Sequence, residues 1–253
     1  MASDADEIKA LNDYAARILE IRPEETKSMH FASKIGASQY VEILRDIEAG
    51  LTGWRILDWG SGFGQNTFLL WRAGYEVHSF DVRDRYRRYF GLAMPEQEIR
   101  FTHGTDPVAL PYPDAFFDGV LSCGVLEHVP DEAGSLREIR RVLRPGGRLF
   151  IYHLPNRHSY TEFKGRLTGG FHHERTYRRK EIGKLPGSAG FETVSAHRYH
   201  FLPRIFLERR PRLFGFLDRR YRAFNRADRF LARTPPFSFF STAWRLLLRK
   251  IDQ

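Results

Sequence analysis

The chain holds one cysteine in 253 residues, Cys123. It therefore cannot close an internal disulfide or build a cysteine-rich zinc site. No uncharged apolar run approaches the roughly 18 residues that suggest a membrane span. The first ten residues, MASDADEIKA, are acidic and lack an apolar stretch, so they do not read as a secretory signal. There is no internal repeat and no low-complexity tract. Wholesale disorder is excluded as well, because 42% of the residues are hydrophobic and 14% aromatic. These absences lead us to expect a soluble, cytoplasmic chain, at most peripheral at the inner membrane face. The length suits one α/β domain with additions, with a core large enough to fold without disulfide or metal.

Charge is unevenly placed. The formal net charge is +9, from 40 Lys and Arg against 31 Asp and Glu. Residues 201–253 hold 13 of the basic and 4 of the acidic residues, leaving 27 of each sign in the first 200. The body is neutral and the whole excess sits at the end, which is the part expected to meet something anionic.

Apolar residues at helical spacing predict helices over 7–20 and 38–49, a leader closed by Gly50 and Gly53. From residue 54 the pattern alternates. Short apolar runs predict strands at 54–59, 75–81, 98–104, 116–123, 148–154 and 191–200. Helices are expected at 65–73, 84–90, 131–143 and 177–189, with a Gly/His-rich loop before the last of these. Strands alternating with helices imply parallel βαβ units in a doubly wound sheet covered on both faces. Residues 201–236 break this rhythm. There Leu213, Phe216, Leu217, Tyr221, Phe224 and Leu231 share one helical face, and Arg219, Arg222, Arg226, Arg229 and Arg233 another. The chain closes on 238–250, which reads as a final strand.

Ile56-Leu57-Asp58-Trp59-Gly60-Ser61-Gly62-Phe63-Gly64 ends the first expected strand and opens a helix. Glycines there permit tight turns and close approach of a ligand to the main chain. In a doubly wound sheet the ligand crevice lies at the carboxyl ends of the strands. Asp81 ends the next strand, where a carboxylate can accept both hydroxyls of a ribose. A dinucleotide site would want G-x-G-x-x-G. This chain has Gln65 at the third position and places its third glycine at 64.

With these motifs the chain resembles the class I S-adenosylmethionine-dependent methyltransferases over residues 50–200. The resemblance continues in Gly104-Thr105-Asp106, Leu110-Pro111-Tyr112 and Phe117-Asp118-Gly119-Val120. It extends through Leu126-Glu127-His128-Val129-Pro130 and Arg141-Val142-Leu143-Arg144-Pro145-Gly146-Gly147. Two departures are Trp59, where a small aliphatic residue is usual, and Thr105, where glycine is common. The resemblance implies a seven-stranded Rossmann-like sheet whose last strand is antiparallel. Its parts would be a leader (1–50) over the cofactor mouth, a core (51–200), a basic insertion (201–236) and the final strand (237–253). It implies S-adenosylmethionine as cofactor, held by Asp58, Gly60, Ser61, Gly62, Gly64, Asp81, Asp106 and Cys123. Cys123 reads as a packing residue with its main chain near the cofactor.

An alcohol acceptor must lose a proton, and histidine is the commonest base. His128 follows the fourth strand and reads equally as a base or as a residue that shapes its loop. His153 ends the fifth strand. His172 and His173 stand in the loop FHHERTY, where one of the pair is functional or both are surface residues. Glu127 could orient His128 or touch the cofactor. Clustered histidines could bind metal, and His128, His153 and His172 could converge, but no two of them have the i, i+4 spacing of a ready-made zinc pair, so a metal site is the minority reading and none is expected. No amino-methylating Asn-Pro-Pro-Tyr signature follows the fourth strand, which favours oxygen over planar nitrogen. The expected acceptor is a small molecule or lipid-linked group, with RNA and a non-catalytic binding role as alternatives. The basic segment reads as a lid, as an anionic-membrane contact, or, ranked below these, as a nucleic-acid contact.

Overall fold

The computed structural model describes residues 2–106, 108–202, 204 and 210–251. Residues 203 and 205–209 of the expected basic insertion, and the terminal 252–253, lie outside the described residues. Seven strands form one sheet: β1 (Arg55–Trp59), β2 (Glu76–Asp81), β3 (Phe101–His103), β4 (Phe117–Cys123), β5 (Leu143–Pro155), β6 (Phe191–Tyr199) and β7 (Ala243–Lys250). The spatial order is β3-β2-β1-β4-β5-β7-β6. The first five strands pair in parallel, and β7 runs antiparallel to both β5 and β6. The order reverses between β1 and β4, so the loops after these strands flank one crevice.

Both sheet faces are covered, and this explains the nearly continuous apolar runs of the inner strands. On one face the leader helices α1 (Asp4–Ile21) and α2 (Lys34–Gly50) pack with α3 (Gln65–Arg72). Leu11, Ile18, Leu44 and Ile47 are each 2% exposed or less in that core. Burial of each such side chain contributes about 1.5–3 kcal/mol, so the leader belongs to the fold and does not hang from it. Ser3 and Ser33 cap the two leader helices. On the other face α5 (Glu132–Val142) and α7 (Arg179–Ser188) cover β4, β5 and β6 through Leu136, Ile139 and Ile182. A short helix, α4 (Arg87–Phe90), follows β2.

Three segments differ from the sequence expectation. Residues 160–168, expected within a loop, form helix α6 (Tyr160–Thr168). The amphipathic stretch over 213–231 is two helices, α8 (Pro211–Arg219) and α9 (Tyr221–Arg233), broken at Arg220. Strand β7 begins only at Ala243, because Phe237–Phe240 turn as a 3-10 helix.

The break at Arg220 lets α9 turn onto the leader and onto the end of β6. Asn225 donates to the Ser38 hydroxyl at 2.8 Å, and the N–H of Ile35, in the first turn of α2, donates to Asp218 at 2.8 Å. The buried Asp228 accepts from the N–H groups of Phe201 and Leu202 and from Arg204, and also bonds the His200 ring. Of the expected apolar stripe only Phe224 is fully buried, while Leu213 and Phe216 stay more than 40% exposed. Arg219, Arg222, Arg226, Arg229 and Arg233 face solvent. No helix of the described residues is long and apolar enough to cross a membrane.

Candidate active site

The glycine turn is held by its own backbone. Gly60 and Ser61 donate to the Phe80 carbonyl at 2.8 and 3.1 Å, and Gly64 donates to the Ser61 carbonyl at 2.9 Å. Gly62 donates to Asp81 Oδ2 at 2.9 Å, while Asp81 Oδ1 accepts from the Arg83 N–H at 2.9 Å. The carboxylate that closes β2 therefore also sets the loop after β1. A Cβ at Gly60 would stand 2.4 Å from Val125, and one at Gly64 only 1.9 Å from Phe90. Gly62 (φ +53°) has no described atom within 4 Å of a Cβ position. The turn thus leaves one open cradle where main chain can meet a ligand. The Ser61 Oγ and Gln65 Oε1 atoms at the same turn are buried without a hydrogen-bond partner among the described residues. A ligand rich in polar groups and needing close backbone approach fits this turn.

Asp58 is 1% exposed and accepts from the Thr67 hydroxyl at 2.7 Å, which in turn shares a bond with Ser79. It ties β1, α3 and β2 together beneath the turn. Burial pushes its carboxyl up to about 7, against the hydrogen bonds from Thr67. Cys123 closes β4; burial raises its thiol pKa, against a bond from Asn66, which is the state of an inert packing residue. Asp106 stands exposed after β3, its Oδ1 accepting from the N–H groups of Val108 and Ala109. These two bonds lower its pKa. The leader reaches the same turn: the Tyr14 hydroxyl donates to the Phe63 carbonyl at 2.6 Å.

Across the crevice the loop after β4 packs on Gly60 through Val125. Arg175 pins this loop by donating to the carbonyls of Leu126 and Val129. It carries Glu127 and His128, and the chain after α6 brings His173 to them. The ring centroids of His128 and His173 are 5.9 Å apart, and His128 Nε2 lies 3.8 Å from Glu127 Oε1. His173 is oriented by Glu162 of α6, whose two carboxylate oxygens meet its Nδ1 at 2.7 Å and its backbone N–H at 3.0 Å. Burial pushes the Glu127 carboxyl up to about 7, opposed by its own backbone N–H and the nearby His173 and Arg175. Burial, together with His173, Arg83 and Arg175, lowers the pKa of His128.

His172 lies apart from this group, exposed, with Nδ1 on the Gly170 carbonyl. His153 sits at the end of β5 with φ +62° and bonds the Tyr199 hydroxyl through both its backbone N–H and its Nδ1. Burial and the neighbouring His200, Arg204 and His30 hold its imidazole down at about 3. An imidazole so depressed is a poor proton acceptor at neutral pH.

Sequence reasoning missed Glu162, Tyr199, Tyr14 and Arg175. For Glu162 a signal existed: Ser159-Tyr160-Thr161-Glu162 has the S-x-x-E form of a capped helix start, and Ser159 does cap α6. The other three reach the site from distant elements and carry no local signal. A separate cavity of about 860 Å³ lies between α2, α9 and β6, and residues 58–64 do not line it. Its charges are largely paired, as in Arg229 with Glu42, Arg245 with Asp46 and Arg45 with Asp4.

The sheet order, the glycine turn after β1 and the acid after β2 make this part of the chain similar to the class I S-adenosylmethionine-dependent methyltransferases. Residues 57–151 match the family model described as "Methyltransferase domain". The chain is 33% identical, over 137 residues, to a protein of Mycolicibacterium smegmatis named a probable S-adenosylmethionine-dependent methyltransferase; the match covers 54% of this chain and 51% of that one. It is 38% identical to the ubiquinone biosynthesis O-methyltransferase of Aeromonas salmonicida, over 43% of this chain and 46% of that one. The chain thus spans about half the length, or less, of the curated relatives it matches. A solved S-adenosylmethionine-dependent methyltransferase from Thermotoga maritima superposes with a TM-score of 0.60 at 16% identity, covering 94% of this chain and 99% of that one. The last likeness concerns the fold alone.

Proposed function

We propose that this chain transfers a methyl group from S-adenosylmethionine to a hydroxyl oxygen of a small-molecule or lipid-linked acceptor. The observation that carries the reading is the Glu127–His128–His173 cluster, set across the crevice from the glycine turn. In this reading the main chain of Gly60, Ser61, Gly62 and Gly64 receives the cofactor, with Cys123 in the wall. Asp81 takes the ribose, since each carboxylate oxygen keeps a lone pair beyond the backbone bond it already accepts. Asp106 serves the adenine end, and Asp58 supports the turn from below. When bound, S-adenosylmethionine supplies an already activated methyl on a sulfonium. The chain must then position the acceptor in line and keep the site dry, which Tyr14 and the leader assist by covering the turn. The acceptor's hydroxyl is received at His128 and His173, and His153 positions the floor between β5 and β6.

The surroundings of the cluster favour an apolar acceptor body over RNA. Phe163, Leu167 and Phe171 are 69%, 75% and 78% exposed. The Phe171 ring stands edge-on to His173 at 5.0 Å. Relatives named O-methyltransferases support oxygen as the target. The test is an acceptor screen with methyl-labelled cofactor across lipid extract, small metabolites and RNA. Label recovered as a methyl ether in one of the first two fractions is the expected result. Label in RNA alone, or turnover in none, overturns the reading. A second comparison is His128→Ala, expected to lower turnover about 100-fold with cofactor affinity nearly intact.

A further inference from the structure

The Glu127–His128–His173 cluster has an architecture that proton transfer alone does not require. One carboxylate oxygen and one ring nitrogen from each histidine lie within 4.8 Å of one another. Ligands about 2.0–2.2 Å from a shared ion stand roughly 3–4.4 Å apart, so the set is close to closing. The His128 side chain, 63% exposed, is free to make the remaining adjustment. The Glu127 side chain is only 2% exposed, and its Oε2 is buried with no hydrogen-bond partner among the described residues. A buried carboxylate oxygen left unpaired is costly and calls for a cation or a donor.

The orientation of His173 points the same way. Its Nδ1 is bonded to the Glu162 carboxylate at 2.7 Å. That bond places the proton on Nδ1 and leaves the lone pair on Nε2. A carboxylate behind a histidine in this manner is the usual support of a metal ligand, because it fixes the tautomer and raises the basicity of the other nitrogen. The nearby guanidinium of Arg175 does not fill the cluster; its NH1 is committed to the carbonyls of Leu126 and Val129.

We infer that Glu127, His128 and His173 form a binding site for a divalent transition-metal ion, with Glu162 as the positioning residue behind His173. One carboxylate and two imidazoles suit zinc or another late first-row ion better than calcium or magnesium, which prefer oxygen alone. Three protein ligands leave a coordination position open, the pattern of a site that receives a reacting group. Its use here rests on the hydroxyl-acceptor reading: the ion holds the acceptor's oxygen at the crevice. Coordination lowers the hydroxyl's pKa, its O–H bond breaks with the electron pair left on the metal-bound oxygen, and the proton passes to water. Metal binding itself does not depend on that reading.

The experiment uses the full chain stripped with a chelator and titrated with Zn²⁺ against a chromophoric competitor, without acceptor. One equivalent is expected to bind tightly to wild type. Glu127→Gln and His173→Ala are each expected to weaken that binding about 10-fold or more, and Glu162→Gln about 10- to 100-fold. Circular dichroism and melting that match wild type in all three certify the fold. Equal Zn²⁺ affinity in wild type and Glu127→Gln, or no Zn²⁺ bound by wild type, overturns the inference. Methylation of a hydroxyl that persists in excess chelator removes the role given to the ion and leaves the methyltransferase reading standing. Tight Zn²⁺ binding with methyl transfer only to nitrogen does the reverse, upholding the site and sinking the hydroxyl reading.

Discussion

Replacing Gly62 and Gly64 separately by alanine distinguishes a ligand cradle from a merely tight turn. Both residues have positive φ, +53° and +81°. Each alanine therefore carries the left-handed penalty of roughly 1–2 kcal/mol. They differ in what the new methyl meets. At Gly64 it would stand 1.9 Å from the Phe90 ring, which is 1% exposed and cannot easily yield. Overpacking there adds about 1–3 kcal/mol, so Gly64→Ala loses about 2–5 kcal/mol in all. For a chain of this size 1 kcal/mol corresponds to about 2–4 °C in Tm. Gly64→Ala should melt about 4–20 °C early, and Gly62→Ala only about 2–8 °C early. At Gly62 the methyl meets no described atom within 4 Å and enters the open side of the turn. A bound cofactor must move to accommodate it, at about 1–3 kcal/mol, or roughly 5- to 150-fold in affinity. The assay is thermal melting paired with calorimetric titration of S-adenosylhomocysteine. A Gly62→Ala protein that binds as tightly as wild type would refute the cradle, whatever its melting temperature.

Asp81→Ala removes the acceptor for the Gly62 N–H and the proposed ribose ligand together, and calorimetry should find cofactor affinity lower by roughly 1.5–3 kcal/mol; unchanged affinity in a folded variant argues against that role. Burial raises Asp58 to about 7, so in the folded state it holds a proton that the unfolded chain releases near pH 4. Its contribution is complete below about pH 4 and declines as pH rises to about 7, by on the order of 4 kcal/mol. Asp58→Asn should flatten that part of the Tm–pH curve, and an identical slope in both proteins contradicts the assignment. Reversing Arg219, Arg222 and Arg226 to Glu tests the basic helices. If they meet an anionic membrane, wild type sediments with anionic vesicles, salt releases it and the variant stays in the supernatant, with cofactor binding unaffected. Wild type that ignores anionic vesicles at low salt rules out the membrane contact and leaves the lid, for which the variant loses acceptor affinity alone, or a nucleic-acid contact, for which wild type shifts a transfer-RNA band at low salt.

Much of the core was determined by local pattern. Short apolar runs and period-3.6 apolar spacing, with glycines between, specified the strands and every helix but α6 from Arg55 to Phe191, because the strands are buried on both faces and each helix must bury one. The Gly60–Gly64 turn and Asp81 were legible too, since a tight turn before a helix and a carboxylate at a strand end are local facts. Helix α6 escaped notice because Gly165 within it and the Gly/His-rich stretch that follows masked a short capped helix, although Ser159 and Glu162 marked its start. The split of 213–231 into α8 and α9 was decided by long-range contacts, with Asp218 on the Ile35 N–H, Asn225 on Ser38 and Asp228 at the end of β6. Helical periodicity carries no information about such partners. The meeting of Glu127 and His128 with His173 belongs to the tertiary structure alone. Forty-five positions separate the two histidines, and only the return of the chain through α6, with Glu162 turning His173 inward, makes them neighbours. The lone pair of a histidine and the burial of a carboxylate are properties of packing, and packing is what spacing along a chain does not contain.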